Sequence, residues 1–218
     1  MRHSSNRHWS QPSPTVEKHW RFWEQSLDRL GNYLKEHQSK EKYMDQKRHS
    51  SVTEPRTKEF VISRSFDVPR ELMFKVWTDP AHMQRWWGPK GVTVINSKMD
   101  LRPGGIYHYG MRTLDGHEMW GKFVFREIVK PERLVFVNSF SDEKGGLTRH
   151  PMSPNWPLEM LSTITFTEQG GKTTVTVRWA PLNATAEECK TFEDGFDSMQ
   201  QGWGGTLDQL SEYLSKVG

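Results

Sequence analysis

The stretch DPAHMQRWWGPKGVTVINSKMDLRPGG, residues 79–105, contains start and stop signals for three consecutive elements. Asp79 can cap a helix that begins at Pro80, since the N–H that a proline lacks would be unpaired at that position anyway. Gly88 favours the left-handed turn that ends a helix. A strand follows and stops at the Pro-Gly-Gly turn of residues 103–105. Alternation places one set of its side chains on the inner face: Thr93, Ile95, Ser97, Met99 and Leu101.

Two adjacent tryptophans, Trp86 and Trp87, lie at the end of this short predicted helix. Consecutive helical residues point about 100° apart. We therefore expect only one of the two indole rings to face the interior fully.

The flanking sequence predicts a sheet closed by one long helix. Thr185 and Glu188 form a capping-box pattern, so the last helix is predicted from Thr185 to about Lys216. Short turns separate the strands, which favours antiparallel pairing. The predicted class is α+β, with a curved antiparallel sheet wrapped around a C-terminal helix and two short helices after the first strand. The first helix of this flanking sequence is predicted at 69–77. The predicted strands are 59–67, 106–113, 117–128, 133–140, 158–168 and 173–180.

Several motifs occur in one order along this region: TDPAHMQRWWGP, DLRPGG, TLDGHEMWGKF, EIVKPERLVF and GWGGTLDQLSEYL. Together they resemble the Hsp90-ATPase-activator-homologue-like branch of the START/Bet v 1 (SRPBCC) superfamily, from about Glu59 to about Leu214. The resemblance implies a helix-grip domain at 58–216. It leaves function open, because that superfamily includes binding proteins, enzymes and chaperone partners on one scaffold.

Residues 1–57 differ in composition from the rest of the chain, with 11 Lys and Arg against 7 Asp and Glu. They are predicted to form a mobile basic extension. Apolar residues from Val16 to Leu34 recur at helical spacing, which indicates a short amphipathic helix at about 15–37. That helix either docks a protein partner or a second copy of the chain, or folds back on its own domain. The remaining residues carry 19 basic against 20 acidic side chains, which argues against a nucleic-acid binder.

Other functional classes lack the sequence features they need. Cys189 is the single cysteine, so no internal disulfide forms, and a plain helix residue is the expected role. No apolar run approaches the roughly 20 residues of a membrane span, and no signal-peptide core is present. We therefore expect a cytoplasmic protein. We expect neither a metal nor a cofactor, since the domain's histidines lack helical ligand spacing: His82, His108, His117 and His150.

Strand alternation predicts the side chains that face the last helix. The predicted ligand-binding residues are Tyr107, Tyr109, Met119, Phe123, Phe136, Trp179, Phe196, Met199 and Trp203. Inward polar groups are limited to the tyrosine hydroxyls, Ser97, Ser162 and Asn138. None of these titrates near neutrality as general acid–base catalysis requires, so the protein is predicted not to be an enzyme.

Small residues form a strip along the last predicted helix, next to its apolar side: Gly195, Ser198, Gly202 and Gly205. Either the sheet approaches closely there, or space remains open between helix and sheet. The loop at 141–157 is longer than compact domains usually contain. Met152 and Trp156 of this loop either cover a pocket mouth or belong to a mobile surface excursion.

We favour non-catalytic binding of a small apolar or amphipathic molecule in a helix–sheet cavity. Two alternatives follow from the resemblance. One is a co-chaperone that stimulates an Hsp90-type ATPase by surface contact. The other is a cyclase or hydratase-type enzyme that uses the same cavity.

Overall fold

The computed structural model of the chain describes residues 58–217. The predicted extension at 1–57 and its helix at about 15–37 lie outside the described residues. The elements in chain order are β1 (Phe60–Phe66), α1 (Arg70–Thr78), α2 (Pro80–Trp86), β2 (Val92–Met99), β3 (Ile106–Thr113), β4 (Glu118–Val129), β5 (Arg133–Ser141), β6 (Glu159–Gln169), β7 (Lys172–Leu182), α3 (Ala186–Asp194) and α4 (Phe196–Val217).

All seven strands form one antiparallel sheet in the order β1-β7-β6-β5-β4-β3-β2. From β2 to β7 the strands form a meander, and β1 joins it beside β7. The sheet curls into a half-barrel around α4, and α1 and α2 follow β1, so the predicted fold class is confirmed. Within 58–217, no helix has both the length and the apolar character needed to cross a bilayer.

The local signals of residues 79–105 act as predicted. The Asp79 carboxylate accepts the Ala81 backbone N–H at 2.9 Å, which caps α2. Gly88 has φ +105°, a conformation that favours glycine, and it ends that helix. At the β2–β3 turn, a Cβ on Gly105 would lie 2.1 Å from the Asp100 carbonyl oxygen, so only glycine fits.

The predicted inner face of β2 is wrong in its first half. A bulge between Val94 and Asn96 shifts the pairing with β3, and a bulge moves side chains to the opposite face. Before it, Val94 is buried and Thr93 is exposed, while Ile95 lies in the bulge itself. After the bulge, the prediction holds for Ser97 and Met99 but not for Leu101. The Ser97 hydroxyl donates to the Pro80 carbonyl at 2.9 Å, and Met99 packs against the core, although Leu101 is exposed.

The predicted C-terminal helix is two helices. Its capping box is confirmed, since the Glu188 N–H donates to Thr185 Oγ1 at 3.2 Å and the Thr185 N–H donates to Glu188 Oε2 at 2.9 Å. Gly195, with φ −86° and ψ 1°, then separates α3 from α4. A Cβ at Gly195 would lie 3.0 Å from the Trp156 ring, so a close approach occurs at this end of the glycine strip.

Helix α4 depends on packing rather than on intrinsic propensity. Three glycines, at 202, 204 and 205, together cost roughly 3 kcal/mol relative to alanine. Each large side chain buried on the sheet contributes about 1.5–3 kcal/mol, which outweighs that cost. The buried apolar residues of α4 are Met199, Trp203, Leu207, Leu210 and Leu214.

Trp86 and Trp87 are both buried, at 1% and 8% exposure, so the expectation that one of them faces away is wrong. The reason is that α2 ends at Trp86. Trp87 has φ −68° and ψ 129°, an extended conformation, so the 100° helical increment no longer separates the two rings.

Glycines 204 and 205 provide a stability test, because a Cβ built on either meets no atom within 4 Å. Gly204→Ala and Gly205→Ala should each raise the free energy of unfolding by about 0.5–1 kcal/mol, since alanine loses less entropy in a helix. Gly195→Ala is the matched control, and its contact with Trp156 should cancel any gain. Urea unfolding measures all three. A loss at both 204 and 205 would contradict the described helix environment.

The tryptophan pair gives a second test. Because both rings are buried, Trp86→Ala and Trp87→Ala should each lower the free energy of unfolding by about 3–5 kcal/mol. Chemical denaturation of the two variants measures this. A loss under about 1 kcal/mol at either position, the size typical of a surface substitution, would show that its ring is not part of the core.

Candidate functional site

The inner face of the sheet is the face on which α4 packs. Its centre consists of contacting aromatic rings from six elements and from the residue that follows α2. We call this group the aromatic cluster: Trp77, Trp87, Tyr107, Tyr109, Phe123, Phe136, Trp179 and Trp203. Aromatic pairs at such distances add about 0.5–1.5 kcal/mol each beyond the burial of their area.

Trp203 connects the helix to the rest of the cluster. Its ring stacks on Trp77 of α1, with centroids 6.3 Å apart and planes at 12°. It meets Trp87 edge-on at 5.7 Å and Trp179 of β7 edge-on at 5.3 Å. One side chain of α4 thus contacts the first helix, the residue after the second helix, and the sheet.

Two tyrosines of β3 bring hydroxyl groups into the cluster. The Tyr107 hydroxyl lies 3.3 Å from Ser97 Oγ, and burial raises its pKa well above the usual range. Burial also raises the pKa of Tyr109 to about 12. Tyr109 lies over Gly121, where a Cβ would come within 2.4 Å of its hydroxyl oxygen, so the glycine makes room for the ring. Both hydroxyls are neutral at physiological pH.

Indole N–H groups on the inner face lack acceptors. The Nε1 atoms of Trp77, Trp179 and Trp203 are buried, and none has a hydrogen-bond partner among residues 58–217. Trp86 behaves differently, because its N–H donates to the Val76 carbonyl at 3.2 Å. Buried tryptophan N–H groups usually find a partner, and an unmet one costs about 1–3 kcal/mol. These unpaired donors therefore require an explanation.

An amide and a hydroxyl lie next to each other on β5 and β6. The Ser162 hydroxyl donates to Asn138 Oδ1, and both side chains are buried. Asn138 is paired across the strands with Phe123 and Met160, and Ser162 with Trp179. The bond leaves the two Asn138 amide hydrogens as further donors. Among residues 58–217, the buried side-chain polar atoms of the aromatic cluster that lack a partner are therefore indole N–H donors.

The long loop between β5 and β6 is attached to α3. Trp156 packs on Phe192 at 5.7 Å and lies 6.0 Å from His150. Asn155 Nδ2 donates to Glu187 Oε1 at 2.7 Å. Of the two interpretations of this loop, a surface excursion fits Met152, which is exposed, but not Trp156.

An ion pair fastens the same loop to the start of α3. Arg149 Nη1 donates to Glu188 Oε1 at 2.6 Å, and this bond, with the Thr185 backbone, holds the pKa of Glu188 below its usual value. Burial lowers the pKa of His150 to about 4, so its imidazole is neutral at pH 7. The loop brings one paired charge and one neutral ring to this end of the inner face.

The structure brings most of the predicted site residues together. Seven of the nine are linked by ring contacts: Tyr107, Tyr109, Phe123, Phe136, Trp179, Phe196 and Trp203. Met199 is buried in the same core, whereas Met119 is 37% exposed at the start of β4. These positions say nothing yet of a ligand, so the assignment remains a prediction.

The predicted set lacks Trp77, Trp87 and the Asn138–Ser162 pair. Trp87 joins the cluster only because α2 ends one residue earlier, which helical spacing does not reveal. Asn138 and Ser162 were expected to point inward but were not assigned to the site. Their alternation with Phe136 and Met160 was the available signal.

A depression of about 330 Å³ lies elsewhere, at the surface beside the N-terminus of α1. Its cations are already paired, since Arg70 Nη1 lies 3.3 Å from Glu132 and Arg133 contacts Glu127. We assign it no role. Within 58–217, no three His, Cys, Asp or Glu side chains are grouped as a metal ion would require.

Solved structures with the same fold come from several bacteria. A Mycobacterium smegmatis protein is 25% identical, with 76% of this chain and 96% of that chain covered and a TM-score of 0.60. An Arthrobacter aurescens protein is 22% identical, with 77% and 91% covered and a TM-score of 0.61. The AHSA1 protein of Silicibacter pomeroyi is 19% identical, with 74% and 100% covered and a TM-score of 0.56. Comparison with curated proteins gives no match.

The sequence match to a known family covers most of the chain. Residues 67–215 match the family described as activator of Hsp90 ATPase homolog 1-like protein. This span contains β2 to β7 and nearly all of the four helices, and the motifs of residues 79–105 lie within it. The chain belongs to the activator of Hsp90 ATPase homolog 1-like family of the SRPBCC superfamily.

Proposed function

We propose that the protein binds a small, largely apolar molecule between α4 and the inner face of the sheet, without catalysing a reaction on it. Such sites are mostly apolar and aromatic, with a few polar groups that orient the ligand. The aromatic cluster supplies the first of these features. The Asn138–Ser162 pair and the tryptophan N–H groups supply the second.

The observation that carries the proposal is the unpaired N–H of Trp203. This side chain is 6% exposed, and its Nε1 has no acceptor among the described residues. A structural tryptophan in the same core, Trp86, has its N–H satisfied by the backbone. A ligand that supplies an acceptor would remove the cost of the unmet donor.

The chemistry of the inner face supports binding rather than catalysis. Two titratable groups of the aromatic cluster are Tyr107 and Tyr109, whose pKa values are raised by burial. A group that stays protonated far above neutral pH is a poor general base. Both hydroxyls can still orient a ligand by hydrogen bonding.

A neutral fluorescent dye tests whether the inner face takes a ligand. Nile red should bind to the wild-type protein with increased emission. Met199→Trp adds a larger side chain on the buried side of α4 and should weaken dye binding by about tenfold, on the order of 1.4 kcal/mol. Gln201→Trp, on the exposed side of the same helix, is the matched control and should leave dye affinity unchanged.

Thermal unfolding of the same variants separates the outcomes. If Met199→Trp is destabilised by about 1–3 kcal/mol, as overpacking of a filled core predicts, and dye affinity does not change, the proposal is wrong. If the dye does not bind to the wild-type protein, the proposal is also wrong. Surface contact with a chaperone, suggested by the family description, would then be the better hypothesis.

A further inference from the structure

The donors and charges of the inner face also indicate the chemistry of the ligand. This inference depends on the proposed binding function and goes one step further. We propose that the ligand is electrically neutral and carries a hydrogen-bond acceptor, such as a ketone, ester or ether oxygen, on an apolar body. A carboxylate or phosphate of the same shape should be rejected.

The first argument is the presence of unpaired donors. Trp179 and Trp203 each present an N–H without a partner among residues 58–217. Asn138 has already used its carbonyl oxygen to accept from Ser162, and its amide hydrogens are not engaged in that bond. A ligand oxygen with two lone pairs can accept from two such groups at once. An apolar molecule without an acceptor would leave the two indole N–H groups unmet.

The second argument concerns three basic side chains, Arg64, Arg149 and His150. Arg64 of β1 is paired with Asp208 of α4, with side chains 34% and 68% exposed. Arg149 is paired with Glu188 at the start of α3. His150 is neutral at pH 7, because burial lowers its pKa to about 4. These three basic groups are therefore paired or uncharged.

Burial of the ligand makes the difference between a charged and a neutral molecule decisive for binding. An ionised carboxylate moved into an apolar interior is strongly destabilised unless a charge partner goes with it. Neutral N–H donors offset only part of that cost. A neutral carbonyl loses far less on desolvation, and the same donors satisfy it. The inner face is therefore matched to a polar but uncharged oxygen.

Matched ligands test this directly by isothermal titration calorimetry at pH 7. Acetylnaphthalene carries a neutral ketone, naphthoate carries a charge on the same ring, and ethylnaphthalene has the shape without an acceptor. The ketone should bind at least about tenfold tighter than naphthoate and about threefold to tenfold tighter than ethylnaphthalene, the range for one net hydrogen bond. A chain-like set of methyl ketone, fatty acid and alkane repeats the comparison.

Variants then assign the preference to the tryptophan N–H groups. Trp203→Phe and Trp179→Phe keep an aromatic ring but lose the donor. Each should weaken ketone binding by about threefold to tenfold while the binding of ethylnaphthalene changes little. Trp120→Phe is the control, because Trp120 stacks on His108 on the other face of β4 and should alter neither affinity. Circular dichroism checks that each variant is folded.

The possible results distinguish this inference from the proposed function. If naphthoate binds as tightly as the ketone, the ligand is not restricted to neutral molecules and this inference is wrong, while a binding function stands. If the three ligands of a set bind equally, the acceptor has no role. If no member of either set binds, the inner face takes no ligand, and the proposed function is wrong as well.

Discussion

The contact of Trp203 with three other tryptophans is the interaction on which the rest of the structure depends. Helix α4 contains three glycines and has low intrinsic stability, so packing must hold it against the sheet. Trp203 contacts Trp77, Trp87 and Trp179, which belong to three different parts of the fold. Its position therefore sets the spacing between the helix, the two short helices and the sheet.

The same contact bears on the unmet donors of the interior. The three rings that Trp203 contacts favour dispersion and quadrupole interactions but offer its N–H no strong acceptor. The family shares its scaffold with binding proteins, enzymes and chaperone partners, so the fold alone does not identify the function. The polar groups of the inner face are more informative about function than the fold is. They include indole N–H donors and neutral tyrosine hydroxyls, while Arg64 and Arg149 are each paired with a carboxylate.

Sequence reasoning succeeded where the determinant is local. The cap at Asp79, the helix end at Gly88 and the capping box at Thr185 each depend on a few neighbouring residues, and all three are confirmed. Sequence reasoning failed where the pairing between strands determines which face a side chain occupies. The bulge between Val94 and Asn96 reverses the phase of β2, and nothing in the alternation marks it. The orientation of Trp87 was missed for a different reason, since α2 ends one residue before it and helical spacing no longer applies.

The central claim is that the buried indole N–H groups of Trp203 and Trp179 bind a neutral acceptor. Isotope-labelled indole groups observed by NMR, with and without acetylnaphthalene, test it most directly. We expect the N–H resonances of both residues to move downfield and to exchange more slowly with solvent. The N–H of Trp86, already bonded to Val76, should not change. Unchanged resonances for Trp203 and Trp179 in the presence of a bound ligand would contradict the claim.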